Sequence, residues 1–542
     1  MIRGLLQWTN WTVAIIYLIA PALSSAAVVP PGVQLSPKQE LVRGNGSEVE
    51  SLDPHKATGH PDSNIIHELW EGLVNFGPQG EIVPGVAKSW QSSDQKTWIF
   101  SLRPEAKWSN GDPVTAQDFV YSWRRLADPN TASPYSSYLN DVQLQNSKEV
   151  LAGRQPVETL GIQALDAQTL QITLSQPLSY FIKMLAHTAV KPVHRASIEK
   201  YGDQWTQPGN QVGNGAYKMQ EWVVNEQITL IRNTQYWDNS RTVINQVKYL
   251  PIVDHQEIAR YRSGELDIIY GTVPSATFQQ LKQECPKELH KNPALSTYYY
   301  ALNTREPPFN NIKVRQAVAL ALDKTALVEK VKGQWDTAAY SFTPPAIGGG
   351  ALKRPEWDTW SQKKRIQAAK NLLQEAGYNS KNPLKFSILY NASELHQQLA
   401  VAASLFWKQA LGAEVTLDSQ EWKSYLENQR SGHYQMSRAG WVADYNEASA
   451  FLNILLPGSS TNYSGYDNAQ FINWVKQALV ASNEPQRQAC YQKAEAQLAI
   501  DMPIVPIYHY VDARLIKPYV QGYSTQNPMK VIHTKDLYIT KH

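Results

Sequence analysis

Residues 87–123 read AKSWQSSDQKTWIFSLRPEAKWSNGDPVTAQDFVYSW. Trp98, Phe100 and Leu102 alternate with Ile99, Ser101 and Arg103, the period of a strand whose two faces differ. Asn110-Gly111-Asp112-Pro113 reads as a turn. Thr115 stands three residues before Asp118, a capping-box spacing, and an apolar helical face follows at Phe119, Val120 and Trp123. Strands punctuated by turns and followed by a helix define a piece of an α/β domain.

Outward from this stretch, short strand-like runs alternate with helical ones. Strands are predicted at 227–232, 246–250, 297–302 and 384–389, and helices at 179–187, 313–331 and 395–411. In the second helix Val314, Ala317, Val318, Ala321 and Leu322 give the spacing of one buried face. The run 344–350, rich in Pro and Gly, is predicted to be an exposed loop. No internal repeat or low-complexity tract interrupts this order.

The first 26 residues read as a secretory signal. Arg3 supplies the charged start, 13–20 an apolar core and Ser24-Ser25-Ala26 a cleavage site, which would leave 542 − 26 = 516 residues. No Cys stands at that site, so a lipid anchor is not expected, and a Gram-negative periplasm is the natural compartment. A chain of this length calls for two or three domains. Its 51 basic and 48 acidic residues nearly cancel, and no basic run with interleaved aromatics points to nucleic acid. Cys285 and Cys490, 205 positions apart (490 − 285), read as free thiols.

Enzyme signatures are missing: there is no HExxH, GxSxG, phosphate loop or GxGxxG. His60 and His67 would share a helix face only if one helix spanned both, and Pro61 argues against that. Neither a metal, a cofactor nor a catalytic residue is therefore expected, although sequence alone leaves open a Ser-His-Asp triad assembled in space.

Further landmarks occur in order: Asn214-Gly215-Ala216-Tyr217, Tyr236-Trp237, Arg260 to Asp267, Pro308-Phe309-Asn310 and Val314-Arg315-Gln316-Ala317. With the opening stretch they resemble family 5 of the extracytoplasmic solute-binding proteins that serve ABC importers. The likeness is to its oligopeptide-binding branch, with some features of the murein-tripeptide-binding branch. The resemblance implies a periplasmic binding protein fold with two lobes closing on the ligand plus an extra domain. It assigns 27–70, 195–295 and 512–542 to lobe I, 71–194 to extra domain II and 296–511 to lobe III. It also implies short peptides as ligands, an inner-membrane ABC permease as partner and a monomeric binder that does no covalent chemistry.

A peptide carries an ammonium and a carboxylate, and burying either unpaired costs several kcal/mol. Its amides need strand-like partners as well. Residues 438–447, RAGWVADYNE, resemble the segment that meets these needs in the family. By that resemblance Asp444 takes the ligand ammonium, Arg438 its carboxylate, Gly440 to Asp444 (Val442 included) pair with its backbone, and Trp441 walls a pocket. Tyr135 matches a tyrosine near the amine and Trp422 a second aromatic wall. Lys332 and His396 match groups that meet the carboxylate of ligands of other lengths. Read without the resemblance, the segment is a polar turn, Lys332 a surface lysine and His396 a polar helix residue.

The departures bear on specificity. Gln429 replaces a second Arg, with Arg430 one place later; Thr58 replaces an acid and His60 an apolar residue. Ala294, Ser296 and Ala301 replace Tyr, Cys and Glu. Ala301 and Val442 look like the murein-tripeptide branch, whereas Lys332 and Asn45-Gly46-Ser47-Glu48 look like the general binder. Lost carboxylates imply that neutral or acidic peptides of three to five residues bind at least as well as tri-lysine. The alternatives are a murein-tripeptide binder, a binder of another solute such as haem or glutathione and, further off, a secreted hydrolase.

Overall fold

The computed structural model describes residues 27–542 except 253, 271, 272, 274, 348–354, 460 and 482, so the expected signal segment lies outside the described residues. Three principal sheets carry the fold.

The first joins Glu40–Gly44, Gln246–Leu250, Gln227–Arg232 and Tyr217–Val223 in that spatial order. Glu40–Gly44 lies parallel to Gln246–Leu250, so segments about 200 residues apart close one sheet. The C-terminal segment joins them, since Ile269 donates to the Leu515 carbonyl at 3.1 Å.

The second sheet is antiparallel, ordered Ala87–Gln91, Thr97–Leu102, Thr169–Thr173, Ile162–Ala164. Trp98, Phe100 and Leu102 point into its core as their alternation predicts. Gly111 takes the turn at φ +97°, a conformation that glycine adopts at little cost. Asp118 closes the capping box at the start of Ala116–Ala127, accepting from the Thr115 amide (2.7 Å) and hydroxyl (2.9 Å). Phe119, Val120 and Trp123 of this helix are buried.

The third sheet has six strands, ordered Thr337–Ala338, Ile504–Leu515, Leu289–Leu302, Met436–Val442, Lys385–Asn391, Glu414–Gln420. Helices Ile312–Ala321, Gln362–Glu375 and Glu394–Leu411 cover one face. They bury Val314, Ala317, Val318, Leu373, Ala403 and Trp407, and the Trp407 indole donates to the Val318 carbonyl at 2.8 Å. Burial of the valine and leucine side chains stabilises by roughly 1.5–3 kcal/mol each. The long strands Leu289–Leu302 and Ile504–Leu515 run side by side, with register shifts between Pro293 and Thr297 and between Tyr298 and Tyr299.

Four expectations need correction. The helix predicted over 313–331 breaks after Ala321, because the Asp323 side chain accepts from the Ala326 amide at 3.0 Å and starts a new cap. The helix predicted over 179–187 shrinks to Phe181–Met184, since His187 turns its ring nitrogen to the Ala189 amide and caps a separate short turn. One helix, His60–Leu69, does carry both His60 and His67, because Pro61 falls in its first turn, where a missing N–H costs nothing. Pro344 and Ile347 are buried rather than exposed; 348–350 lie outside the described residues. Cys285 and Cys490 are separate free thiols.

Candidate functional site

The strand Met436–Val442 lies at the centre of the candidate site. On one side it pairs in full with Ser296–Leu302; on the other it meets Lys385–Asn391 only at Met436 and Ser437. Ala443 donates to the Leu295 carbonyl at 2.9 Å, which places Ala439, Trp441 and Ala443 as the residues bonded to that neighbour. The amides and carbonyls of Gly440 and Val442 therefore face the edge that no described strand occupies. Such an edge accepts an extended peptide backbone.

Alternation puts Arg438, Gly440 and Val442 on one face with their partners Tyr300, Tyr298 and Ser296. The Arg438 guanidinium lies over the Tyr298 ring, 5.1 Å from its centre, and donates to Asn391 Oδ1 at 3.3 Å; its Nε has no partner. Burial works against its charge, but the phenolic oxygens of Tyr510, Tyr298, Tyr425 and Tyr508 outweigh that and hold it above the usual range. His396, in the first turn of Glu394–Leu411, lies 3.5 Å from the Tyr298 hydroxyl. Burial and then Arg438 depress its imidazole to about 3, so it is neutral. A neutral imidazole, a cation and a helix N-terminus together favour an anion.

A Cβ at Gly440 would meet Arg438 Nη2 at 3.5 Å, the Tyr510 hydroxyl at 3.6 Å and the Thr297 carbonyl at 3.9 Å, all ordinary contacts. The fold itself does not require glycine here, so the gap serves whatever approaches Arg438. Gly440→Ala is expected to leave the melting temperature unchanged or slightly raised, because glycine inside a strand costs about 0.5–1 kcal/mol. The added methyl should weaken ligand affinity at least about fivefold, roughly 1 kcal/mol of crowding. Equal affinity by calorimetry would remove Gly440 from the site.

At the other end, Asp444 is half-buried, and His187 Nε2 at 4.0 Å is its one ion-pair neighbour among the described residues. Burial, and then Lys191, push His187 down to about 4, so at neutral pH it brings no charge. Burial, and then Asp141, raise Asp444 to about 7. Surrounding groups desolvate Asp141 and lift it to about 6, although solvent still reaches its side chain. The Tyr135 and Tyr138 rings pack on His187 with centroids 4.9 and 4.6 Å away. Two carboxylates with raised pKa values and, among the described residues, no charged cation paired with them form a site that lacks a positive charge.

Glu447 holds this end in place. It is fully buried and takes Lys183 at 2.9 Å and Arg487 at 2.8 Å, while Arg487 also donates to Ser179 at 2.6 Å. Tyr180 stacks on Tyr445 at 5.9 Å. These contacts fasten the segment after Val442 to the domain that bears Tyr135 and His187.

The remaining candidates are placed unevenly. Gln429 is buried, and its amide donates to Tyr425 (2.8 Å), Ser437 (3.0 Å) and the Arg438 carbonyl (2.9 Å), so it braces the strand from behind. Lys332 is buried in an ion pair with Asp336 at 3.3 Å. Ser296 is buried opposite Val442, and its hydroxyl lacks a partner. Trp441 and Ala301 belong to the opposite face of the sheet from Arg438; the Trp441 indole donates to the Ala450 carbonyl at 2.6 Å and Ala301 is fully buried. Thr58 and His60 are exposed where the chain enters His60–Leu69. Burial of the His60 ring by surrounding groups, with Lys530 and Arg514 near, depresses it to about 4 although solvent still reaches it. Trp422 begins the helix Trp422–Ser431. Sequence reading missed Asp141, His187, Tyr298, Tyr510 and Asn391, none of which stands in a motif; only the fold brings them to the groove. Among the described residues no group of His, Cys, Asp or Glu is placed to hold a metal.

A groove with an unpaired carboxylate at one end, a cation at the other and an open strand edge between them is the build of a solute-binding protein. A family model described as bacterial extracellular solute-binding proteins, family 5 Middle, matches residues 81–463, and the chain belongs to this family. The periplasmic oligopeptide-binding protein OppA of Salmonella typhimurium is 52% identical over 526 residues, 97% of each chain. The structure of the murein tripeptide binding protein MppA of Escherichia coli superposes with a TM-score of 0.86 at 43% identity, covering 94% of this chain and 100% of that one. Haemophilus influenzae OppA in complex with RPPGFSPFR gives 0.85 at 43% identity, covering 94% and 100%. The unliganded open form of MppA gives 0.78, covering 95% and 99%. The family and these relatives are binding proteins, and the relatives named are periplasmic.

Proposed function

We propose that this chain captures short peptides in the periplasm and delivers them, as a monomer without catalytic activity, to an inner-membrane ABC permease. The observation that carries the reading is Asp444, a half-buried carboxylate raised to about 7 whose only ion-pair neighbour among the described residues is a neutral histidine, two residues past the strand that carries Arg438. A ligand ammonium supplies the missing charge, its carboxylate meets Arg438 beside Gly440, and its backbone takes the free edge. Length fits as well: the four residue steps from Gly440 to Asp444 span at most ~13 Å, and an extended tripeptide is ~10 Å long. Lys332 and His396 are assigned to the carboxylates of other peptide lengths, Tyr135 to the amine end, and Trp441, Trp422, Ser296 and Ala301 to side-chain pockets. Thr58 and His60 are assigned to the facing lobe.

The lobes are taken as 27–70, 195–295 and 512–542 for the first and 296–511 for the second, with 71–194 as the extra domain. The boundary assigned at 295/296 falls at the register shift between Pro293 and Thr297, which supports a crossing of the two long strands between lobes there. An irregular ladder bends more readily than a regular one and suits a hinge. The higher TM-score to the peptide complex than to the open form, 0.85 against 0.78, supports the closed arrangement as that of the loaded state. Calorimetry with tri-alanine and small-angle scattering test the reading together. Binding at micromolar or lower Kd with a smaller radius of gyration is expected, because a ligand touching both lobes biases closure. No heat of binding with tri-, tetra- and pentapeptides, or no compaction at saturation, would refute it.

A further inference from the structure

One further charge beside the groove has no hydrogen-bond or ion-pair partner among the described residues. Tyr510, whose hydroxyl lies 3.6 Å from the Cβ position of Gly440, carries Lys530 on its ring, with Nζ 5.9 Å from the centroid. The neighbouring cations are already neutralised: Arg514 pairs with Asp512 at 3.2 Å and Lys332 with Asp336 at 3.3 Å. The Lys530 ammonium makes no hydrogen bond and no ion pair among the described residues.

Its backbone is fixed by the loop around it. Lys530 sits at φ +61°, a left-handed conformation uncommon for residues other than glycine, asparagine and aspartate. Buried Asn527 imposes it, donating to the Val531 carbonyl at 2.7 Å and accepting from the Met529 amide at 3.0 Å. The Pro528 carbonyl accepts from Leu295 at 3.2 Å and ties the loop to the strand beside the candidate ligand edge. Glycine or asparagine would fit this turn with less strain, so the backbone gives no reason for a lysine here.

We propose that Lys530 is a specificity-determining residue that pairs with a second carboxylate of the bound peptide. The proposal rests on the peptide reading above. The carboxylate belongs either to an acidic side chain or to the C-terminus of a peptide longer than the one Arg438 terminates.

The test is calorimetry of the full chain and of Lys530→Glu and Lys530→Gln. The peptides are Ala-Ala-Ala, its three single-Glu and three single-Lys isomers, and Ala-Ala-Ala-Ala with free and amidated C-termini. The unaltered protein is expected to bind one Glu isomer about tenfold tighter than the matching Lys isomer, the scale of a partly enclosed ion pair. Lys530→Glu should reverse that ratio, with Ala-Ala-Ala affinity kept within about twofold. If the charge change instead acts on free but not amidated Ala-Ala-Ala-Ala, the pairing stands with the main-chain carboxylate as its source. An unchanged ratio in both variants, with Ala-Ala-Ala still bound, overturns the role of Lys530 alone. Loss of all peptide binding by the unaltered protein overturns the peptide reading and this assignment with it. Lys530→Gly provides a second measurement: the melting temperature should hold or rise as the backbone strain is relieved, and a fall would show that the lysine serves the fold.

Discussion

Asp444→Asn is expected to weaken tripeptide binding by roughly 2–5 kcal/mol, which is the cost of leaving one enclosed charge unpaired. N-acetylated peptides should fail against the unaltered protein for the same reason. The variant should at the same time stabilise the ligand-free fold above neutral pH. Asp444 is raised to about 7 in the folded chain by burial and then Asp141, against about 3.9 in an unfolded one. Between those values the folded state holds a proton that the unfolded state has released. Ligand-free stability therefore falls as pH rises from about 4 to 7, and the loss is complete above 7. Asparagine has no proton to lose, so the melting temperature of Asp444→Asn should exceed that of the unaltered protein at pH 8. Peptide affinity runs the other way on its acid side. The ligand ammonium needs the ionised carboxylate, so affinity should fall as pH drops below about 7, while the peptide amine, near 7.7–8.0 when free, sets the alkaline limit. Asp141, also raised, adds to the acid limb. Calorimetry from pH 5 to 9 on both proteins checks this; equal binding of acetylated and free peptides would sink the assignment of Asp444.

Arg438→Ala and Gln429→Ala separate affinity from stability. Removing the guanidinium leaves a ligand carboxylate beside only a neutral imidazole, and a loss of roughly 2–5 kcal/mol in peptide affinity is expected. Gln429 serves Tyr425, Ser437 and the Arg438 carbonyl from behind the strand. Its removal leaves buried polar groups under-bonded, a cost of roughly 1–3 kcal/mol in folding. Gln429→Ala should lower the denaturation midpoint and change affinity much less than Arg438→Ala. Indifference of peptide binding to Arg438→Ala would move the carboxylate site elsewhere, His396 and Lys332 being the next places to examine.

Much of the fold was legible because its signals are local. The capping box at Thr115 and Asp118, the strands 227–232 and 246–250 and the helix ending at Leu411 follow from propensity and period alone. Where reading failed, a polar side chain had a choice that periodicity does not record. Asp323 capped a new helix within an apolar run that reads as continuous, and His187 turned to the Ala189 amide. Pro61 was misjudged because its effect depends on whether it stands inside a helix or in its first turn.

The candidate site divides along the same line. The sequence, read with its family resemblance, singled out the segment 438–447, with a carboxylate six positions after a cation, because the order of charges along a chain is a property of the chain. The tertiary structure alone decided which charges are already answered. Lys332 is held by Asp336 and Gln429 is spent on its own strand, whereas among the described residues Asp444 meets only a neutral histidine as an ion-pair neighbour and the Lys530 ammonium makes no ion pair. The physical reason is that pairing and desolvation act over a few ångströms in space. His187 lies 257 positions before Asp444 (444 − 187), and Tyr510 20 before Lys530 (530 − 510); no local pattern relates either pair until the sheets close.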